Sequence, residues 1–161
     1  MSVTSVDKDY DELSLTLIAD FPASLEQVWQ LWADPRKLER WWGPPTYPAT
    51  FKEHDLSPGG SATYFMTSPE GEKYHGWWRI SNIEPPTSLE FVDGFADQHG
   101  VPSTEMPTTT SRVQLTEQAE GTRMTLHSAF GSREQMDQLV EMGMVEGLTL
   151  AVGQMDALLT A

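Results

Sequence analysis

The residues able to do chemistry in this chain are few, and their spacing is as informative as their types. Four histidines, His54, His75, His99 and His127, are scattered along it. None sits in a metal-binding spacing such as His-Glu-x-x-His. There is no cysteine, which excludes disulfides, thiolate metal sites and cysteine nucleophiles. There is no Gly-x-Ser-x-Gly elbow and no glycine loop of the kind that cradles phosphate, so nucleophilic hydrolysis has no motif behind it. On this reading no catalytic residue, metal or cofactor is assigned. Acid–base chemistry inside a cavity remains open, with His54, His75 or Glu146 as the groups able to move a proton. His127 falls on the polar face of its strand and is expected to be exposed.

Charge narrows the partners. Among 161 residues there are 24 Asp and Glu against 10 Lys and Arg, a net charge of −14. Phosphate neutralisation needs clustered Lys and Arg, so a nucleic-acid partner is excluded. An anionic membrane surface is disfavoured for the same reason. No stretch approaches the roughly 18 apolar residues of a membrane span. The polar, acidic segment from Met1 to Leu13 has no apolar run and is not expected to be a signal peptide. A cytoplasmic location is the resulting expectation. The 39% of hydrophobic residues is too high for a disordered chain. The length suits one domain: residues 12–161, preceded by a flexible acidic tail over residues 1–11.

The elements follow from periodicity and turn chemistry. Leu13, Leu15, Leu17, Ala19 and Phe21 alternate with mostly polar neighbours, as in a half-buried strand. Pro22 ends it. Ser24 and Gln27 form a capping box for a helix whose Leu25, Val28, Leu31 and Trp32 share a face. Asp34 and Pro35 start a second short helix carrying Leu38, Trp41 and Trp42, which Gly43-Pro44-Pro45 stops. Strands are then expected at Ala49 to Leu56, Ala62 to Thr67, Tyr74 to Ile83, Leu89 to Phe95, Ser111 to Glu117 and Thr122 to Phe130. The turns between them suit hairpins. Asp97 to Thr108, with Gly100, Pro102 and Pro107, reads as an irregular loop. Strands in succession with helices at the ends give an α+β domain with an antiparallel sheet.

From Ser132 no proline interrupts the chain, and a single helix of roughly seven turns or more is expected to run to Ala161. On a continuous helix Met136, Leu139, Val140, Gly143, Gly147, Leu150 and Leu158 form one buried stripe. Glycine inside a helix costs about 1 kcal/mol relative to alanine. Gly143 and Gly147 therefore mean either close helix–sheet approach or space left for a ligand. The same projection puts Glu146 on the flank of the stripe and Gln154 near its centre. A carboxylate there needs a partner, water or a task, and Glu146 is the polar candidate for lining a cavity. Met144, Val145, Leu148 and Val152 fall outside the stripe, as an apolar outer face suited to self-association into a homodimer.

Several stretches together look familiar. They are Val28 to Pro35, then Leu38 to Pro44 with Trp41-Trp42-Gly43-Pro44; Pro58-Gly59-Gly60; Gly76-Trp77-Trp78 before Pro85-Pro86-Thr87-Ser88-Leu89; and Met142-Gly143-Met144-Val145-Glu146-Gly147. In this order and spacing the chain resembles the activator of heat-shock-protein-90 ATPase homologues. That family belongs to the START-like superfamily (also called SRPBCC), which includes the birch pollen allergen. The resemblance implies a helix-grip fold: a curved antiparallel sheet around a long C-terminal helix, with two short helices after the first strand and a cavity between sheet and helix. It implies that Trp32, Trp42, Tyr64, Met66, Trp78, Phe91, Met142 and Glu146 face that cavity or its mouth. The Asp97 to Pro107 loop would lie near the opening and act as a lid.

Three functions are compatible with this reading. The first is binding of a small apolar or amphipathic molecule in the cavity, without catalysis. The second is a cyclase or hydrolase acting on an aromatic or polyketide-like substrate. The third is a chaperone-related or stress-response interaction protein, as the family name suggests. The family's activators carry an additional N-terminal domain, whereas here a short acidic segment precedes the first strand.

Overall fold

Turn chemistry sets the element order. The computed structural model describes residues 3–159. Its elements are β1 (Val3–Asp9), β2 (Ser14–Phe21), α1 (Leu25–Ala33), α2 (Pro35–Leu38), β3 (Ala49–His54), β4 (Ser61–Thr67), β5 (Lys73–Glu84), β6 (Ser88–Ala96), β7 (Thr109–Gln118), β8 (Gly121–Phe130), α3 (Arg133–Glu141), α4 (Met144–Gly153) and α5 (Met155–Leu159). The strands make one sheet of eight in the order β1-β2-β8-β7-β6-β5-β4-β3. Every pairing is antiparallel. From β3 to β8 the chain runs strand to adjacent strand, and β2 closes onto β8. The curved sheet and its C-terminal helices form the expected helix-grip α+β fold.

Local signals act where the sequence places them. Ser24 Oγ accepts from the Gln27 N–H at 3.2 Å and Gln27 Oε1 accepts from the Ser24 N–H at 3.0 Å, a complete capping box. Asp34 Oδ1 accepts from the Arg36 N–H at 2.9 Å and opens α2 with Pro35 in its first turn. In β2 the alternation holds: Leu15, Leu17, Ala19 and Phe21 are all buried. Register shifts at Phe51/Glu53 and Ile80/Asn82 bend β3 and β5, as bulges do.

The expected tail over residues 1–11 is corrected by β1. Val3–Asp9 pairs with β2 from Val3↔Ala19 to Asp9↔Ser14, while Met1 and Ser2 lie outside the described residues. Backbone pairing needs a free sheet edge more than it needs apolar side chains. Val3 and Val6 still pack onto the core. The turn into β2 is made by Asp9, whose Oδ1 accepts from the N–H groups of Asp11 and Glu12, both at 3.0 Å.

The single long helix is also corrected. It breaks at Gly143, which takes φ +90°, a left-handed conformation that favours glycine. It breaks again at Gln154, between α4 and α5. The break shifts the buried stripe by about one position. Met136 and Leu139 are buried as expected, but beyond Gly143 the buried residues are Ala151, Val152 and Met155, and Leu150 is exposed. The expected outer face therefore turns inward: Val152 is buried, Val145 packs on the core, and Leu148 and Met144 line a cavity.

Tryptophans fill the core on the concave face. Trp32 lies 4.7 Å from Trp41 and 6.0 Å from Trp42, both in edge-to-face geometry. Trp78 stacks on Phe91 at 4.2 Å. Trp41 Nε1 donates to the Leu31 carbonyl at 2.8 Å and so locks α1 to the residues after α2. Gln154 Nε2 donates to the Trp41 and Gly43 carbonyls at 3.2 and 2.6 Å, which ties the α4–α5 junction to the same segment.

Candidate functional site

A cavity of about 320 Å³ lies between the concave sheet face and the α3–α4 junction. That size suits a small ligand. Its walls are largely apolar, with Met66, Phe95, Leu139, Met142, Met144 and Leu148 on them. The two helix glycines belong to it. A Cβ added at either Gly143 or Gly147 would meet nothing within 4 Å. Of the two readings of these glycines, close helix–sheet approach is excluded: they border open space.

Polar groups gather at one corner. The Tyr64 hydroxyl on β4 donates to Asp93 Oδ1 on β6 at 2.9 Å. The strand between them, β5, places Gly76 opposite Tyr64, and a Cβ on Gly76 would collide with the Tyr64 ring. Burial pushes the Asp93 carboxyl up to about 7, against the opposing hydrogen bonds from Tyr64 and the Gly94 N–H. Burial and the neighbouring Asp93 raise the Tyr64 phenol well above its ordinary value. The Trp42 and Trp78 indoles lie beside that hydroxyl and oppose the rise, yet neither N–H reaches hydrogen-bonding geometry. Ser111 and Ser128, 3.3 Å apart on β7 and β8, add paired hydroxyls to the lining. Asp93 is thus an acid that changes charge near neutrality, the property expected of a functional group in a cavity.

The residues expected at the site divide into three groups. Trp42, Tyr64, Met66 and Met142 line the cavity. Trp32, Trp78 and Phe91 are fully buried and form the packed floor beneath it, not its surface. Glu146 is exposed and not part of the lining. Its projection assumed one continuous helix, and the left-handed turn at Gly143 rotates it outward. Of the histidines, His75 borders the cavity, but its ring packs on Phe65 at 5.6 Å. Its pKa is lowered by burial and by Lys52 and Lys73. His54 Nε2 lies 3.1 Å from the Trp32 carbonyl, and burial lowers its pKa. Among the described residues no three His, Asp or Glu side chains converge as a metal site would need.

Sequence reasoning missed Asp93. The signal was its parity: Leu89, Phe91, Asp93 and Phe95 alternate on one strand face, so a charge stands in the inward phase. The expected loop touches the cavity at its end. Pro107 lines the cavity, and Gln138 Nε2 of α3 approaches Met106 Sδ at 3.9 Å.

The comparisons agree with this architecture. The family model for activator of Hsp90 ATPase homolog 1-like proteins matches residues 22–160. The chain belongs to this family. Its fold recurs in Ms6760 of Mycobacterium smegmatis, which is 49% identical with a TM-score of 0.91, over 99% of this chain and 98% of that one. A protein from Arthrobacter aurescens is 52% identical with a TM-score of 0.95, over 99% and 92% of the two chains. The AHSA1 protein of Silicibacter pomeroyi is 25% identical with a TM-score of 0.68, over 91% and 97%. No curated protein matches the chain. Among the described residues no helix is long and apolar enough to cross a membrane.

Proposed function

We propose that this family member binds a small apolar or amphipathic molecule in the cavity between its sheet and the α3–α4 junction. The observation that carries this is the open space under Gly143 and Gly147. Close packing is the rule in protein interiors, and a void of this size forfeits contacts that larger side chains would make. At Gly147, inside α4, the helix carries glycine where alanine or leucine would be more favourable by a few tenths to about 1 kcal/mol. Met66, Met142 and Met144 give the walls flexible, polarisable side chains suited to variable apolar shapes. Native mass spectrometry of freshly purified protein tests the reading. A co-purifying small molecule, lost when Gly147 is replaced by leucine, is the expected result. Retention of the same molecule by the leucine variant counts against it.

A second reading is favoured by Asp93 alone. A cavity carboxyl held near 7 is matched to proton transfer at neutral pH. Turnover lost in Asp93→Asn, with binding retained, would distinguish an enzyme from a carrier.

A further inference from the structure

Resting on that cavity reading, we propose that the bound molecule carries a protonated amine at one end and an apolar body at the other, the amine pairing with the Asp93 carboxylate. The lining itself supports this. Asp93 receives the Tyr64 hydroxyl on Oδ1 and the Gly94 N–H. An ionised carboxylate has roughly four acceptor positions, so capacity remains on the cavity side. Among the described residues no Lys or Arg lines the cavity. The basic group bordering it, His75, lies against Phe65, and burial together with Lys52 and Lys73 disfavours its cationic form. Thr109, Ser111 and Ser128 add hydroxyls to the lining, as does Tyr74, whose own hydroxyl donates to Glu72 at 2.9 Å. The corner thus has an acidic group and no cation to meet it.

A ligand supplies what the protein withholds. A carboxylate-bearing molecule would set a second negative charge beside Asp93, and like charges sharing a site disfavour ionisation of both. A neutral alcohol would donate one hydrogen bond and leave the carboxylate's charge unbalanced. An ammonium group would donate as well, and its positive charge would neutralise the half-buried carboxylate. The net charge of −14 also draws cations toward the mouth.

The test uses three probes of equal chain length, n-octylamine, n-octanol and octanoate, with tryptophan fluorescence as the readout because Trp42 lines the cavity. It is run at about pH 8, where Asp93 is ionised. Octylamine is expected to bind roughly tenfold tighter than octanol, from the pairing of opposite charges in a partly desolvated site, with octanoate weakest. In Asp93→Asn the amine and the alcohol are expected to bind alike. Octanoate matching octylamine, octylamine matching octanol in the unaltered protein, or an amine preference that survives in Asp93→Asn would overturn the proposal while leaving the cavity reading intact. Failure of all three probes, octanol included, would overturn both. If Asp93→Asn does not fold, Asp93→Ser carries the test: with a neutral hydroxyl in place of the carboxylate, the amine and the alcohol should again bind alike, and an amine preference that survives refutes the proposal.

Discussion

Tyr64 reaches across a glycine to hold Asp93. The two residues sit on β4 and β6, which are not neighbours, and the 2.9 Å hydrogen bond between them spans β5 at Gly76. Only a residue without a side chain leaves room for the ring. The opposite arrangement occurs one strand pair further on. Trp77 lies over its register partner Gly94, where a Cβ would strike the indole, and donates to the Phe95 carbonyl at 3.0 Å.

Replacing Gly76 by alanine should therefore expel the Tyr64 ring. Overpacking of this kind costs about 1–3 kcal/mol, and the Tyr64–Asp93 hydrogen bond is lost as well. Chemical denaturation should show the loss. Unchanged stability would mean that the ring is not held against Gly76.

Asp93 sets a pH dependence whose sign follows from linkage. Its folded pKa, about 7, exceeds the ordinary carboxyl value of 3.8, so the folded state holds the extra proton between them. The neutral carboxyl's contribution is complete below the lower value and is lost as pH rises through the higher one. Relative to the unaltered protein, Asp93→Asn should gain stability as pH rises from about 4 to 8. A gain on the order of 2 kcal/mol is expected, less than the displacement would give in full, because the group is only half-buried and solvent screens it. Parallel pH–stability curves for the two proteins would contradict the assignment.

Gln154 clamps the α4–α5 junction to the Trp41–Gly43 segment. Gln154→Ala strands two carbonyl acceptors, and a cost of about 1–3 kcal/mol in urea unfolding is expected. A change below about 0.5 kcal/mol, the size of a plain surface substitution, would show the clamp to be idle.

Glu146→Gln should leave both stability and ligand uptake unchanged, because Glu146 faces solvent. Reduced uptake in a titration with n-octanol would return Glu146 to the site.

The strands were legible because turn residues and alternation agree along them, from Leu15 to Phe21 and from Pro58 to Gly60. The caps at Ser24 and Asp34 were legible because short polar side chains before an apolar face have one local use. Phase beyond Gly143 was not. A helical wheel carries each position forward from the last, so one left-handed residue misassigned Glu146, Leu150 and the inward-facing Leu148 together. β1 was hidden because its partner edge, not its own composition, makes it a strand. Trp32, Trp78 and Phe91 stand on inward faces and look like cavity lining in sequence. Depth, which separates floor from surface, has no one-dimensional signal. Asp93 was readable from strand parity, but its reach to Tyr64 depends on Gly76 lying between them.

Ligand binding in the cavity beneath the α3–α4 junction is tested by the thermal shift that n-octanol produces in the unaltered protein and in Gly147→Leu. Leucine has open space at this position and raises helix propensity by a few tenths to about 1 kcal/mol, so the variant should fold and its side chain should occupy the cavity. A saturable rise in Tm is expected for the unaltered protein and none for the variant. An equal rise in both, or none in the unaltered protein, would contradict it.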